Sequence, residues 1–203
     1  MFFSFKINRL KNSLIKKTIL IVLTVLVSLT IAHMCITHFE KTFLYPLKHT
    51  DIIINSADQN DLDRALIFSI VNVESSFNAN SKSPKGAIGL MQITPDTAEY
   101  IAKMKNVSAY DLYSPQTNVC FGCYYLKYLI NKFISVETAI VAYNAGEGNV
   151  KAWLRNNDYS KDGITLTHIP FKESRNYLEK ITKSFVKYNK LYGNILDKQK
   201  KLK

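Results

Sequence analysis

The sequence predicts an all-α fold, with at most a minor β-hairpin, in a domain that follows an apolar N-terminal helix. Apolar residues recur at helical spacing through most of residues 51–192, and the seven Gly and five Pro fall almost wholly between those segments. No alternating run of apolar and polar residues is long enough to predict a sheet. The length of 203 residues suits one domain with a short appendage, and 47% apolar residues exclude wholesale disorder.

The N-terminal segment has the composition of a membrane anchor. Residues 1–17 contain five basic and no acidic side chains, and residues 18–39 contain no charged side chain. A helix of about 20 apolar residues spans a bilayer, and basic flanks stay in the cytoplasm. We therefore predict a cytoplasmic segment, 1–17, and a transmembrane anchor, 18–39, with the remaining chain on the extracytoplasmic side. A cleaved signal peptide, and hence secretion, stays open because Thr30-Ile31-Ala32 is a small-x-small site.

The net charge of +11 comes from the two ends of the chain. Residues 40–178 contain fourteen basic and fourteen acidic side chains, whereas residues 179–203 contain eight Lys and two acidic residues. A nucleic-acid-binding domain concentrates Lys and Arg on its folded surface. We therefore expect no nucleic-acid partner, and we interpret residues 193–203 as a solvated basic tail.

Residues 40–50 are predicted to be an extended stalk, because Pro46 interrupts any helix that continues from the anchor. The first domain helix is predicted to end near Glu74, with Asp58 and Asp61 as candidate caps, from the spacing of Leu62, Leu66, Ile70 and Val73.

Five further helices follow from periodicity and from start signals. Thr94 is a candidate N-cap, with Pro95 at the first helical position. The predicted ranges are 95–104, 115–133, 136–144, 147–155 and 173–192.

Metal and thiol chemistry find little support in the sequence. The four His are scattered and form no ligand pattern, so we expect neither a metal site nor a cofactor. Cys120 and Cys123 lie in a predicted helix, where burial as small side chains is the favoured interpretation. A disulfide between them is the alternative.

Four strings of residues occur together and in order: VESSF at 73–77, GAIGLMQITP at 86–95, AYNAG at 142–146 and IPFKESRNY at 169–177. In this order and spacing the chain resembles the lytic transglycosylases of the SLT family. The resemblance implies a lysozyme-like helical domain at residues 51–192 that acts on bacterial peptidoglycan.

The resemblance also implies roles for individual residues. Glu74 corresponds to the family's single catalytic acid. The implied substrate-binding residues are Ser75, Gly89, Met91, Gln92, Tyr143, Asn144 and Tyr177, and Gly89 would bring the backbone close to a sugar. The chain departs from the family's pattern at Glu147, where many members have Pro, and at Ser174, where Thr is common.

The implied reaction cleaves the β-1,4 bond between N-acetylmuramic acid and N-acetylglucosamine without water and leaves 1,6-anhydro ends. Glu74 would act as acid and then as base, with glycan strands and the membrane as partners. Two alternatives remain: a hydrolytic muramidase that uses Asp96, Glu99 or Glu147 as a second carboxylate, and a non-catalytic wall-binding membrane protein.

The residues before Glu74 agree with the acid role on physical grounds. An apolar run, residues 67–73, precedes Glu74 and predicts that its carboxyl group is buried. Burial disfavours the charged form and raises a carboxyl pKa, as a glycosidase acid requires near neutral pH.

Overall fold

The computed structural model describes the backbone of residues 2–198 and the side chains of residues 14–197. This part of the chain contains eight α-helices and no β-strand. Isolated β-bridges join Lys82 to Ile88 and Ile88 to Ile93. The predicted all-α class, with at most a minor β element, is therefore confirmed. The chain forms two compact units, residues 1–46 and residues 47–203.

The first unit is a single long helix. Helix α1 runs over Phe2–Phe39 and continues as a π-helical segment, Glu40–Leu44. Among the described residues, Leu14–Leu44 is long and apolar enough to cross a membrane, and its side chains are exposed. The extended stalk expected from residue 40 is therefore wrong for Glu40–Leu44. The Phe39 and Phe43 rings lie 5.1 Å apart, and the helical path ends at Tyr45, because a residue before proline disfavours the helical region.

The second unit contains seven helices. Those predicted between residues 95 and 155 agree with the structure to within one residue. The last helix extends to Lys198, so the boundary expected at residue 192 lies inside it. The helices are α2 (Thr50–Gln59), α3 (Arg64–Ser75), α4 (Pro95–Lys105), α5 (Pro115–Phe133), α6 (Val136–Ala145), α7 (Glu147–Leu154) and α8 (Lys172–Lys198).

Helix starts follow local capping chemistry. The hydroxyls of Thr94, Ser114 and Ser135 accept hydrogen bonds from the backbone N–H three residues later, and α4 and α5 begin with proline. The Thr94 cap confirms the prediction for α4.

The start of α3 corrects the sequence analysis. Its N-cap is Asp63, whose carboxylate accepts from the Leu66 N–H at 3.1 Å. The predicted caps Asp58 and Asp61 are wrong, because Asp58 lies on α2, a helix that the periodicity did not separate, and Asp61 has a left-handed φ of 49° in the turn. Leu62 consequently lies before the helix.

Helix α3 passes through the centre of the second unit. Every residue from Arg64 to Val71 is buried, and α3 packs mainly against α8. The Phe68 ring contacts the Tyr188 ring of α8 at 5.7 Å between centroids. A helix that is enclosed on all sides carries its C-terminal residues into the interior, and Glu74 is the penultimate residue of α3.

Arg64 is the buried charge that links α2, α3 and α8. Its Nε and Nη2 atoms each donate to the Asp58 carboxylate at 2.7 Å, and its Nη1 atom donates to the Leu196 carbonyl. A buried charge that loses its partner is costly, because neither water nor protein then solvates it.

We expect Asp58→Asn to lower the free energy of unfolding by about 3 kcal/mol, since it leaves the Arg64 guanidinium buried without its counter-charge. Denaturation followed through Trp153, the single tryptophan, measures this change. Glu179→Gln, which breaks the exposed Lys183–Glu179 pair, is the control and should change stability by less than about 0.5 kcal/mol. Equal effects of the two variants would contradict a stabilising role for the buried pair.

Candidate active site

Glu74 lies where α3 ends. The chain leaves the helix through two left-handed residues, Ser76 at φ 50° and Phe77 at φ 64°. Phe77 is buried, and its ring lies 6.3 Å from that of Phe68. This turn leaves Glu74 partly buried, at the end of an enclosed helix and at the edge of an open cleft.

The Glu74 carboxyl group is in an environment that favours its neutral form. Burial raises the pKa of Glu74 to about 7, although a hydrogen bond from Tyr177 partly opposes this rise. The Tyr177 hydroxyl donates to Glu74 Oε1 at 2.7 Å. The carboxyl group can therefore both release and accept a proton near neutral pH, and Oε2 is the oxygen left for that exchange.

Two tyrosines surround this carboxyl group as neutral donors. Burial, followed by the negative charge of Glu74, raises the pKa of Tyr143 and of Tyr177 well above the ordinary value. Tyr143 donates its hydroxyl hydrogen to the Met91 carbonyl at 2.9 Å. Neither phenol can serve as a base near neutral pH, so proton transfer depends on Glu74.

The loop between α3 and α4 is folded back as a tight turn. Ile88 and Ile93 exchange two backbone hydrogen bonds of 2.9 and 3.0 Å. Gly89 has a φ of 80° and Gln92 a φ of 48°. The Gln92 amide nitrogen donates to the Gly89 carbonyl at 3.0 Å, which leaves its amide oxygen available to the cleft.

Asn118 of α5 holds this turn from below, and the sequence analysis missed it. Its side chain is fully buried, and Oδ1 accepts from the Met91 N–H at 2.7 Å. Its Nδ2 atom donates to the carbonyls of Ile88 and Leu112 at 2.8 and 2.9 Å. The available signal was a polar residue one helical turn before the apolar positions Phe121 and Gly122 of α5.

A cavity of about 320 Å³ opens beside the Glu74 carboxyl group. Four of the expected site residues line it, and six further residues do so as well. The expected ones are Glu74, Gln92, Tyr143 and Asn144; the others are Ser83, Pro84, Lys85, Ala87, Thr94 and Glu173.

The other expected substrate contacts lie behind the cavity wall. Met91 is 0% exposed and packs against Gly122, so it supports the wall instead of lining it. A Cβ on Gly89 would lie 2.2 Å from Asn118 Nδ2, so this glycine is required by Asn118 and not by a sugar. Ser75 donates to the Leu90 carbonyl at 2.8 Å, and Tyr177 reaches the cavity only through Glu74.

Asn144 is oriented by α8. Its Oδ1 atom accepts from the Ser174 hydroxyl at 2.7 Å, and its amide group remains directed to the cavity that it lines. Ser174 therefore provides a hydroxyl at the position where the family commonly has Thr.

The remaining candidate carboxylates differ from Glu74 in their surroundings. Burial acts to raise the pKa of Glu147, but hydrogen bonds from Lys132, Lys151 and Tyr128 lower it further, to about 2. Glu99 is exposed and pairs with Lys103 at 2.6 Å. Asp96 is exposed and lines a separate cavity with Glu147.

Glu173 is a second carboxylate of the Glu74 cavity that the sequence analysis did not select. It lies in the first turn of α8, is exposed, and pairs with Lys85 at 3.1 Å. Its separation from the catalytic strings in the chain hid it, because only the packing of α8 against α3 brings it to the cleft.

Cys120 and Cys123 lie one turn apart on α5 with free thiols. Burial, followed by the neighbouring Cys120, raises the pKa of Cys123 well above its ordinary value. The Cys123 sulfur is therefore a poor nucleophile, because the thiolate is the reactive form.

Comparisons with known proteins agree on one family. The model of the transglycosylase SLT domain matches residues 51–166. The soluble lytic murein transglycosylase of Salmonella typhimurium is 34% identical over 87% of this chain and 27% of its own length. The membrane-bound lytic murein transglycosylase C of Haemophilus ducreyi is 36% identical over 70% of this chain and 45% of its own length.

The solved structures lead to the same family. The 70 kDa soluble lytic transglycosylase of Escherichia coli superposes with a TM-score of 0.66 and 32% identity, over 81% of this chain and 27% of that protein. The chain thus spans about a quarter of the length of the soluble relatives that it matches.

We expect Gly89→Ala to destabilise the second unit by more than about 2 kcal/mol, because a Cβ there meets Asn118 and the Leu112 carbonyl while φ is positive. Gly148→Ala on α7 is the matched control, since a Cβ there meets no atom within 4 Å and helical Ala is favourable. Denaturation followed by Trp153 fluorescence compares them. A Gly89→Ala protein as stable as the control would show that Asn118 does not constrain this turn.

Proposed function

The chain belongs to the transglycosylase SLT family, and from this premise we propose that it is a peptidoglycan lytic transglycosylase. It cleaves the β-1,4 bond between N-acetylmuramic acid and N-acetylglucosamine without consuming water. The product then ends in a 1,6-anhydro ring on the muramic acid residue. No cofactor takes part.

The observation that carries the proposal is the state of one carboxyl group. Burial raises the pKa of Glu74 to about 7, and this group faces a 320 Å³ cavity. The other carboxylate of that cavity, Glu173, is exposed and paired with Lys85. The cavity thus offers one group suited to act as acid and base, whereas ordinary glycoside hydrolysis uses two.

In the first step, Glu74 donates its proton to the glycosidic oxygen that leaves C1 of N-acetylmuramic acid. The carbonyl oxygen of the sugar's 2-acetamido group stabilises the positive charge that develops at C1. Glu74 is then a carboxylate, and the Tyr177 hydroxyl stabilises that charge through its hydrogen bond to Oε1.

In the second step, the Glu74 carboxylate takes the proton of the C6 hydroxyl group of the same sugar. The C6 oxygen attacks C1, and the 1,6-anhydro ring closes. Glu74 regains its proton, so the enzyme returns to its starting state. Attack from within one sugar benefits from a high effective concentration, which favours this step over attack by water.

The neighbouring residues act in two groups. The amide groups of Gln92 and Asn144 line the cavity and suit the N-acetyl and hydroxyl groups of a sugar. Ser75, Gly89 and Met91 maintain the wall behind them through contacts with Leu90, Asn118 and Gly122. Tyr177 acts as a positioning residue through its bond to Glu74.

The hydrolytic alternative requires a second carboxylate opposite Glu74. Glu147 is committed to two lysines and Tyr128, and Glu99 to Lys103. Neither side chain lines the Glu74 cavity. The surroundings of these groups therefore favour the non-hydrolytic reaction.

We further propose that α1 anchors the protein in a membrane, with the second unit on the extracytoplasmic side at the cell wall. The apolar helix Leu14–Leu44 follows a basic segment, and one matched relative is named a membrane-bound transglycosylase. The proposed domains are the cytoplasmic segment 1–17, the anchor 18–39, a connection 40–50 and the catalytic domain 51–192 with a basic end.

We expect Glu74→Gln to abolish glycan cleavage, because Gln can neither donate a proton to the leaving oxygen nor accept one from the C6 hydroxyl group. Mass spectrometry of products from purified peptidoglycan measures the loss. Wild-type products should be lighter by one water than hydrolytic products. Reducing-end N-acetylmuramic acid as the main wild-type product would contradict the proposed reaction.

Four matched variants serve as controls for this prediction: Asp96→Asn, Glu99→Gln, Glu147→Gln and Glu173→Gln. Each should retain cleavage within about tenfold, well short of the 10²–10⁴-fold that a general acid–base contributes. Glu74→Gln should also be firmly folded. A carboxyl with a raised pKa loses stability as pH rises through 7, so the variant should be more stable than wild type above that pH.

The pH profile provides a separate test of Tyr177. The first step needs protonated Glu74, so kcat/KM should fall as pH rises above about 7. Tyr177→Phe removes the hydrogen bond that favours the carboxylate, which should move this fall to higher pH by about one unit. Tyr192→Phe is the control, because Tyr192 is equally buried at 7% exposure on the same helix. A profile that Tyr177→Phe leaves in place would contradict the positioning role.

A further inference from the structure

A row of tyrosine rings leads away from the Glu74 cavity. The Tyr143 ring, which lines that cavity, lies 5.8 Å from the ring of Tyr125. Tyr125 stacks on Tyr128 at 6.1 Å with an interplanar angle of 17°, and Tyr128 meets the edge of Tyr100 at 5.8 Å. The aromatic surface is therefore continuous from the active cavity to Tyr100 on α4.

A second cavity of about 230 Å³ opens over this row, and we call it the tyrosine subsite. Its lining residues are Asp96, Thr97, Tyr100, Tyr125 and Glu147. It adjoins the Glu74 cavity on two sides. The Tyr143–Tyr125 contact links them along the aromatic row, and the successive residues 94–97 link them at the start of α4.

The platform under the subsite is held rigidly. The Tyr128 hydroxyl donates to Glu147 Oε2 at 2.9 Å, and Lys132 pairs with Glu147 Oε1 at 2.6 Å. The Lys132 ammonium also lies 4.9 Å from the centre of the Tyr128 ring, and Lys151 pairs with Glu147. These contacts join α5 to α7 and fix the rings before any ligand arrives.

The chemistry of the subsite matches a neutral sugar. Tyr100 is 42% exposed and offers an aromatic face on which the C–H groups of a pyranose ring can pack. The exposed Asp96 carboxylate and the Thr97 hydroxyl lie beside it and can accept hydrogen bonds from sugar hydroxyls. Lys132 and Lys151 neutralise Glu147, so the lining does not present a positive charge to an acidic ligand.

We propose that the tyrosine subsite binds one further pyranose ring of the glycan strand whose scissile bond lies at Glu74. The inference rests on the proposed function and identifies where the strand continues. A volume of 230 Å³ is below the roughly 300–1,000 Å³ of sites that enclose a whole small molecule, and it suits one ring of a longer chain. The subsite selects long strands over short ones.

The test measures binding of peptide-free glycan strands to the full-length protein in detergent, in the inactive Glu74→Gln background. Long strands are compared with the shortest strand that wild type cleaves. Tyr100→Ala should weaken the binding of long strands about tenfold, or about 1.4 kcal/mol. Binding of the shortest strand should stay within about twofold, because that strand need not reach the subsite.

Two variants control for other effects of the substitution. Tyr100→Phe keeps the ring face and should bind long strands like the Glu74→Gln parent. Tyr113→Ala removes a tyrosine with the same exposure, 42%, that lines neither cavity, and it should leave every affinity unchanged. A decrease in Tyr100→Phe equal to that in Tyr100→Ala would overturn ring packing as the contact.

Further outcomes also decide the matter. Equal weakening for long and short strands, or no change in Tyr100→Ala, overturns the subsite while the proposed function stands. An effect confined to strands that carry stem peptides assigns the cavity to peptide and overturns the sugar assignment. Failure of wild type to cleave any strand overturns the proposed function itself.

Discussion

Burial of the Glu74 carboxyl group at the end of α3 is the constraint on which the rest of the site depends. Helix α3 is enclosed from Arg64 to Val71, so its last turn lies in a region of low polarity. That burial raises the pKa of Glu74 to about 7, and the Tyr177 hydroxyl provides the one hydrogen bond recorded for its Oε1 atom. The surrounding helices are arranged to keep this group dry on one side and open on the other.

The supporting contacts converge on the same place from different helices. Asn118 of α5 satisfies three backbone groups of the turn that follows α3, and Ser174 of α8 orients Asn144 of α6. The residues that face the cavity therefore depend on buried neighbours for their positions. Met91 and Gly89 belong to this buried support, and the wall they form separates the core from the cleft.

The distribution of charge separates two kinds of carboxylate. Glu74 has no lysine partner and stays close to neutral, whereas Glu147, Glu99 and Glu173 each pair with lysine. Ion pairs favour the charged form and burial favours the neutral form, so the same residue type serves different ends. At Glu147 the ion pairs hold the aromatic row in place, and at Glu74 their absence leaves a proton available.

The sequence by itself determined the helical class, most helix bounds from 95 to 155, the Thr94 cap and the candidate acid, because these depend on local periodicity, capping groups and motifs. It did not separate α2 from α3, since the turn at Asp61 interrupts one apolar pattern without Gly or Pro. Only the tertiary structure decided that Met91 and Gly89 lie behind the wall, that Glu173 and Lys85 join the cleft, and that four tyrosines form one row. Those relations join residues far apart in the chain, and the packing of α3, α5 and α8 is what brings them together.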